Sequence, residues 1–335
     1  MDLLLAEASG PYGALVSSEV RIINFNKGRI LASLPSLVHY LNKDNPYVIL
    51  SAMTHTNIVA LLAAKIARAK TKVVVSQRNA MNQANHRFSQ LRRPFMNFLI
   101  KVCYPWSHAI TTVSNGVSND LIKLLPKEKD KIFTIYNPVL TPDIYEKMEE
   151  VVDHPWINSW EKDTKIILAA GRLNVQKDFE TLIRSVALVR KQVNVKLIIL
   201  GKGELQFELE KLIQSLGLIN AVDLYGFVDN PFKFMKKADL FVLSSKWEGL
   251  PGVLIQAMAC GTPVISTDCP HGPSEILEHG KWGSLVPIGD IQTMTNAIVK
   301  ALQKNEHPNV FERANEFSED KAVNEYLKVM DVLPN

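Results

Sequence analysis

Between residues 164 and 303, short apolar runs bounded by Gly, Asn or Asp alternate with longer segments whose apolar positions recur at helical spacing. Lys165 to Ala170, Val195 to Leu200, Ala221 to Tyr225, Leu240 to Leu243, Pro263 to Ser266 and Ser284 to Val286 read as strands. Asp178 to Gln192, Glu204 to Leu216, Gly252 to Cys260 and Ile291 to Gln303 read as helices. Near-continuous apolar strands need cover on both faces, and the intervening helices supply it. The pattern therefore predicts a parallel, doubly wound α/β sheet with ligands at the strands' carboxyl ends.

The first half repeats this rhythm less regularly, with strands near Leu3 to Leu5, Val20 to Asn24, Tyr47 to Ser51, Lys72 to Val75, Ala109 to Thr112 and Ile132 to Ile135. Two Rossmann-like lobes follow, over residues 1–140 and 141–310, and 335 residues suffice for two cores. Glu312 to Val329 reads as one amphipathic helix in a tail, 311–335, expected to pack across the join. No apolar run approaches the roughly 18 residues of a membrane span. Met1 to Gly10 lacks a basic leader and reads as a strand rather than a signal peptide. Cys103, Cys260 and Cys269 fit no zinc spacing and suit a reducing cytosol.

Charge divides the chain more sharply than the net +4 suggests. Residues 1–137 carry 17 Lys and Arg against 7 Asp and Glu, a net +10, and the rest carries 21 against 27, a net −6. A basic half suits an anionic partner, either a membrane surface or a phosphate-bearing acceptor, or is simply a solvated basic surface. Within it, Phe88, Leu91, Phe95, Phe98, Leu99 and Val102 form one helical stripe flanked by Arg87, Arg92, Arg93 and Lys101. Such a helix can lie on anionic lipid or turn its stripe to the core, and Pro94 is expected to kink or restart it.

Candidate chemistry gathers at strand ends of the second half. In Ser244-Ser-Lys-Trp-Glu248-Gly249-Leu250-Pro251-Gly252-Val253-Leu254-Ile-Gln256, a strand passes into a helix through Gly and Pro. Free N–H groups and the positive helix end make a ready phosphate site, with Glu248 before the helix and Gln256 about one turn inside it. Glu248 could grip sugar hydroxyls, or merely cap or face solvent. Gly171-Arg172-Leu-Asn-Val-Gln-Lys177 also joins a strand end to a helix, and its two cations could reach a diphosphate or be surface charge. Gly201-Lys-Gly203 could touch ligand or form a tight turn, and Gly226-Phe-Val228 follows the next strand.

Together, Gly171-Arg172 with Lys177, Gly201-x-Gly203, Gly226-Phe-Val228, Ser-x-x-x-Glu248-Gly-Leu-Pro and Ala257-Met-Ala-Cys-Gly-Thr-Pro-Val264 resemble family 4 of the retaining glycosyltransferases. The resemblance covers nearly the whole second half. Val113-Ser-x-Gly-Val117, Ile135-Tyr-Asn-Pro-Val139 and Phe317-Ser-x-x-x-Ala322 agree more weakly.

That resemblance implies a GT-B fold, with a C-terminal lobe holding a nucleoside-diphosphate sugar and an N-terminal lobe presenting a saccharide or lipid-linked acceptor across a cleft. Carried over by position, Arg172 and Lys177 stabilise the leaving diphosphate, backbone around Val228 meets the base, and Glu248 binds donor hydroxyls. Gly252, Val253 and Leu254 hold phosphate through N–H groups, with Gly249, Leu250 and Pro251 shaping the loop. Position 256 commonly carries a ribose-binding Glu, and here Gln256 retains an acceptor oxygen. The resemblance implies hexose or N-acetylhexosamine transfer, from UDP-sugar by preference, without metal or other cofactor and without nucleic acid as partner. It implies a cytoplasmic place and leaves peripheral contact with the membrane's inner face open.

The first half departs from the family, which opens with a strand, a Gly-rich loop and a helix ahead of the strand matched by Leu3 to Leu5. An active-site His commonly follows the strand matched by Lys72 to Val75, where this chain has Ser76-Gln-Arg78-Asn79, so Arg78 or Asn79 could substitute. His55 could contact acceptor or serve structure, and His271 stands where Gly is common. A catalytically impaired nucleotide-sugar-binding protein is the main alternative, and a sugar-nucleotide epimerase on the same fold a second.

Overall fold

The computed structural model describes residues 1–8, 13, 16–78, 87–158, 163–304 and 306–333, with side chains of 87–93 outside the description. The chain divides into two compact units, one of Met1–Val113, Val117–Ile135 and Tyr326–Asn335, the other of Ser114–Gly116 and Tyr136–Glu325.

In chain order the first ten elements are β1 (Asp2–Leu5), β2 (Arg21–Asn24), α1 (Leu34–Asp44), β3 (Val48–Ala52), α2 (Thr54–Ala67), β4 (Lys72–Gln77), α3 (Arg87–Cys103), β5 (Ala109–Thr112), α4 (Asn115–Leu124) and β6 (Ile132–Thr134). β3, β4, β5 and β6 form one parallel sheet in that order, and β1 and β2 form a separate parallel pair. One face carries Ile49, Val73, Val75 and Ile110 against Leu37, Leu41, Ile58, Leu61 and Ile100 of the helices.

α3 runs on through Pro94, which removes one backbone donor without ending the helix. Its described side chains split the expected apolar stripe. Leu99 packs with Met96, Ile100 and Cys103 on the core, whereas Phe95 and Phe98 are 63% and 60% exposed. Phe88, Leu91, Arg87, Arg92 and Arg93 lie outside the described side chains.

The second unit contains α5 (Asp143–Lys147), β7 (Lys165–Ala170), α6 (Phe179–Val189), β8 (Val195–Leu200), α7 (Gln206–Ser215), β9 (Val222–Gly226), α8 (Phe232–Lys237), β10 (Leu240–Leu243), α9 (Gly252–Ala259), β11 (Val264–Thr267), α10 (Pro273–Ile276), β12 (Ser284–Val286), α11 (Ile291–Gln303), α12 (Val310–Ala314) and α13 (Glu319–Val329), whose last residues cluster with the first unit. Its parallel sheet has the order β12-β11-β10-β7-β8-β9. Alternate residues of β7 enter different cores: Ile167 and Ala169 meet α6 and α11, and Ile166, Leu168 and Ala170 meet α8, α9 and α12. Burial on both faces is why these strands read as unbroken apolar runs.

Chain order reverses between β7 and β10, so their carboxyl ends flank the switch point where doubly wound sheets bind ligands. The tail differs from the single helix expected over Glu312 to Val329. α12 ends in a 3-10 turn at Asn315–Phe317, and Ser318 is extended at ψ 153°. Phe317 causes the break: it is buried against Tyr136, and its carbonyl accepts from the N–H groups of Val139 and Leu140 at 3.1 Å each.

Candidate active site

Two loops leave the sheet at the switch point, Gly171–Asp178 after β7 and Ser244–Pro251 after β10, and hydrogen bonds bind them together. Ser244 Oγ donates to the carbonyl of Lys177 at 2.7 Å, and Lys246 N donates to that of Gln176 at 2.8 Å. The result brings Lys177 to Glu248. Its Nζ lies 2.6 Å from Glu248 Oε1, which also accepts from Ser245 Oγ at 2.6 Å, and both ionic side chains are at least 85% covered. Gln176 Nε2 donates to the Trp247 carbonyl at 2.9 Å and reaches Glu248 Oε2 at 3.4 Å. Arg172, on the same loop as Lys177, is exposed. The two cations thus differ: one is locked on a carboxylate, the other projects outward.

Cys269 is buried nearby, and burial first, with the Glu248 charge second, pushes its thiol up to about 12. It is held as a neutral thiol, unsuited to act as a nucleophile.

The glycines after β7 and β8 have a structural reason. A Cβ on Gly201, at φ +141°, would lie 1.9 Å from the Gly171 carbonyl oxygen, and one on Gly203 would lie 2.2 Å from that of Leu173. The two loops are in backbone contact, with Leu173 N bonded to the Lys202 carbonyl at 3.1 Å and Leu205 N to that of Leu173 at 3.0 Å. Gly226 has φ +96°, and the Val228 side chain packs on the core under α8 and α9.

Pro251 caps α9 rather than lying in its first turn, with φ −71° and ψ 94°. The Leu254 N–H is engaged by the Pro251 carbonyl at 3.0 Å, and its side chain is fully buried. Of the three expected phosphate donors, Gly252 and Val253 keep amides that a helix start leaves without intrahelical acceptors. Gly249 and Leu250 precede them, with Leu250 packed on the core.

The model of the family described as "Glycosyl transferases group 1" matches residues 152–317, and that of "Glycosyltransferase Family 4" matches residues 3–141. An uncharacterized glycosyltransferase of Methanocaldococcus jannaschii is 35% identical over 57% of this chain, a stretch spanning only 57% of that relative. An N-acetylgalactosamine-N,N'-diacetylbacillosaminyl-diphospho-undecaprenol 4-alpha-N-acetylgalactosaminyltransferase of Campylobacter jejuni is 31% identical over 93% of this chain and 83% of its own length. The chain belongs to the family 4 glycosyltransferases. Its GT-B fold is shared with HepE of Anabaena, crystallised with UDP and glucose, at TM-score 0.80 and 20% identity over 99% of this chain and 92% of that one.

Within this glycosyltransferase, Gln256 is half-buried one turn into α9, and its side chain makes no hydrogen bond among the described residues. His271 takes φ 65° and the following Gly272 φ 85°, the left-handed region that explains a preference for glycine at both. A Cβ on Gly272 would fall 2.5 Å from Pro251 Cδ, so this loop packs directly on the entrance to α9.

In the first unit, the carboxyl ends of β3 and β4 adjoin, with Ala52 opposite Ser76. His55, in the first turn of α2, and Arg78, after β4, are both exposed there, and Asn79 lies outside the described residues. Sequence reasoning overlooked the buried network beneath them. Asn57 Nδ2 donates to the Ser76 carbonyl at 2.9 Å and Tyr104 OH at 3.0 Å, and Gln77 Oε1 accepts from Tyr104 at 2.9 Å and Thr54 at 3.1 Å. It likewise missed Ser245 and Gln176, whose one signal was proximity to Glu248 and Lys177.

Proposed function

We propose that this family member transfers a hexose or N-acetylhexosamine from a nucleoside-diphosphate sugar, a UDP-sugar by preference, to a saccharide or lipid-linked saccharide in polysaccharide or glycolipid assembly. The observation that carries this reading is the Lys177–Glu248–Ser245 cluster at the switch point, beside the amides of Gly252 and Val253. Phosphate suits those amides and the positive helix end, and Arg172 and Lys177 supply charge to a leaving diphosphate without a metal or other cofactor. Glu248, fixed by Ser245 and Gln176, offers acceptors to donor hydroxyls. Val228 backbone meets the base and Gln256 the ribose. The C1–O bond to diphosphate breaks as the acceptor oxygen bonds C1 on the same face, and the acceptor's proton passes to the departing phosphate. Configuration is retained.

His55 and Arg78, with Asn79, stand on the acceptor side. The Campylobacter relative is named for a diphospho-undecaprenol-linked saccharide, which supports a lipid-linked acceptor here. Among the described residues no helix is long and apolar enough to cross a membrane. We assign peripheral contact with the anionic inner face to the exposed Phe95, Phe98 and Val102, with Trp106 under Lys65, in the basic half.

The test is a panel of UDP-, GDP- and ADP-sugars measured for binding and then for nucleotide release with and without membrane extract. Acceptor-dependent release from a UDP-sugar is expected. Binding without release under every acceptor would support the impaired alternative, which Gln256 favours, and no binding would remove both.

A further inference from the structure

Between Asn45 and Asn119 the chain has nine Lys and Arg and no Asp or Glu. That stretch includes β3, α2, β4, α3 and β5, and it accounts for +9 of the +10 carried by residues 1–137. A positive site built from it has no carboxylate of its own stretch to fill it.

Such a site lies at the start of α2. The Met53 carbonyl accepts from the Asn57 N–H at 2.9 Å, which closes the first turn and leaves the amides of Thr54, His55 and Thr56 without intrahelical acceptors. Among the described residues no side chain caps them: Met53, at φ 78°, occupies the cap, and the first turn has no acid. The Thr54 hydroxyl is turned instead to Gln77 Oε1, 3.1 Å away. The turn is firmly held, because Met53 N and Asn57 Nδ2 both donate to the Ser76 carbonyl, at 3.2 and 2.9 Å. Those bonds set the end of β4 alongside the amides, where Arg78 and His55 are exposed.

A second observation lies beneath this turn. Ser51 alternates with Ile49, so its side chain stands on the face of the sheet that α2 covers, two residues ahead of Met53. It is 5% exposed and its hydroxyl has no hydrogen-bond partner, and neither has Oδ1 of the fully buried Asn57 in the first turn itself. Buried polar atoms in folded proteins are nearly always paired. A hydroxyl and an amide oxygen under an uncapped helix start are groups that a bound molecule, or a water it holds, completes. Convergent amides, the positive helix end and a guanidinium together select an oxyanion, and phosphate brings the most charge and acceptor oxygens to them.

We propose that the first unit binds a phosphate group at the start of α2, and that the acceptor carries this phosphate as an ester or diphosphate of its sugar. The amides of Thr54, His55 and Thr56 hold the phosphate oxygens, Arg78 pairs with the charge, and the His55 ring closes the rim. The identity of the carrier rests on the acceptor-side assignment of His55 and Arg78 above. The phosphate site itself rests on the helix start and the groups beneath it.

The experiment follows the amide resonances of Thr54, His55 and Thr56 while the whole chain is titrated with glucose 1-phosphate, inorganic phosphate, glucose and phosphatidylglycerol vesicles. Saturable shifts with glucose 1-phosphate are expected, about fivefold tighter than with inorganic phosphate and weaker as salt rises. Arg78→Gln should lower that affinity about tenfold, the loss of one charge-assisted contact. His55→Asp places a carboxylate in the first turn, where the helix dipole favours it, so the melting temperature should hold or rise while affinity falls by about tenfold or more. A fall in both would make the effect structural and overturn the site, as would silent amides. Equal affinity for glucose 1-phosphate and inorganic phosphate overturns the acceptor as carrier, and shifts with vesicles alone give the site to a lipid headgroup instead. UDP, titrated into the same samples, separates the two readings. UDP bound with α2 silent removes this inference alone, and shifts at α2 without UDP binding remove the proposed donor and leave the phosphate site.

Discussion

Lys177 and Glu248 lie 71 positions apart in sequence and 2.6 Å apart in space, so the two halves of the proposed donor site meet in one ion pair. Covering both charges has a desolvation cost, which the Ser245 and Gln176 hydrogen bonds help to offset. Removing either partner leaves the other charge covered and unpaired. Lys177→Met or Glu248→Leu alone should destabilise the protein by about 3 kcal/mol. The double variant should recover most of the lost melting temperature. If the pair also serves the donor, nucleotide release stays absent in the double variant. Restored stability with restored release would reduce the pair to a structural role.

Gly201→Ala and Gly203→Ala test a different link, that between loop backbone and loop backbone. Each added methyl would overlap a carbonyl oxygen, and Gly201 has the further constraint of φ +141°. Losses of at least about 2 kcal/mol are expected in denaturant titrations, with Gly201 the more sensitive. Gly217→Ala, at φ +67° with nothing within 4 Å, is the control for conformation without collision and should cost about 1 kcal/mol. Equal effects at all three positions would count against the collision.

The strands of the second unit were legible because burial on both faces makes each an apolar run, and it is the loops at their carboxyl ends that carry the proposed site. The partnership inside the site was not. Arg172 and Lys177 look equivalent in sequence, and only the fold turns one onto Glu248 and leaves the other outside. Gly201-x-Gly203 has the composition of a ligand loop, yet its backbone contact with Gly171 and Leu173 is a tertiary constraint that no local pattern records. α8 escaped notice because six residues with Phe and Lys intermixed carry too short a period to count. The broken tail depends on Phe317 meeting Tyr136, a contact 181 residues away in sequence.

Gln256→Glu restores the acid common at this position. The side chain is half-buried on the first turns of α9, where a carboxylate also benefits from the positive helix end. UDP should bind about fivefold to tenfold more tightly, the factor expected when a neutral acceptor to a ribose hydroxyl becomes charged. Titration calorimetry reads this directly. Unchanged affinity would mean that the side chain points away from the nucleotide.

Acid should release the end of the chain before it unfolds the second unit. Asp331 is held below the usual carboxylate range first by the hydrogen bond from Lys72, 2.8 Å away, with His108 beside it, and its carbonyl accepts from Tyr47. Asp2 is likewise held down to about 2, first by Arg21 and then by Tyr40. Carboxyls lowered on folding add stability above their unfolded values, about 3.9 for Asp, and that stability is lost as pH falls through the lower folded values. Between about pH 4 and pH 2, the protection of the Asp331 and Val332 amides, taken relative to the intrinsic exchange rate at each pH, should therefore fall, reversibly. Asp331→Asn should show the lower protection already at neutral pH and flatten the dependence. An unaltered profile in that variant would assign the tether to the apolar contacts of α13 instead.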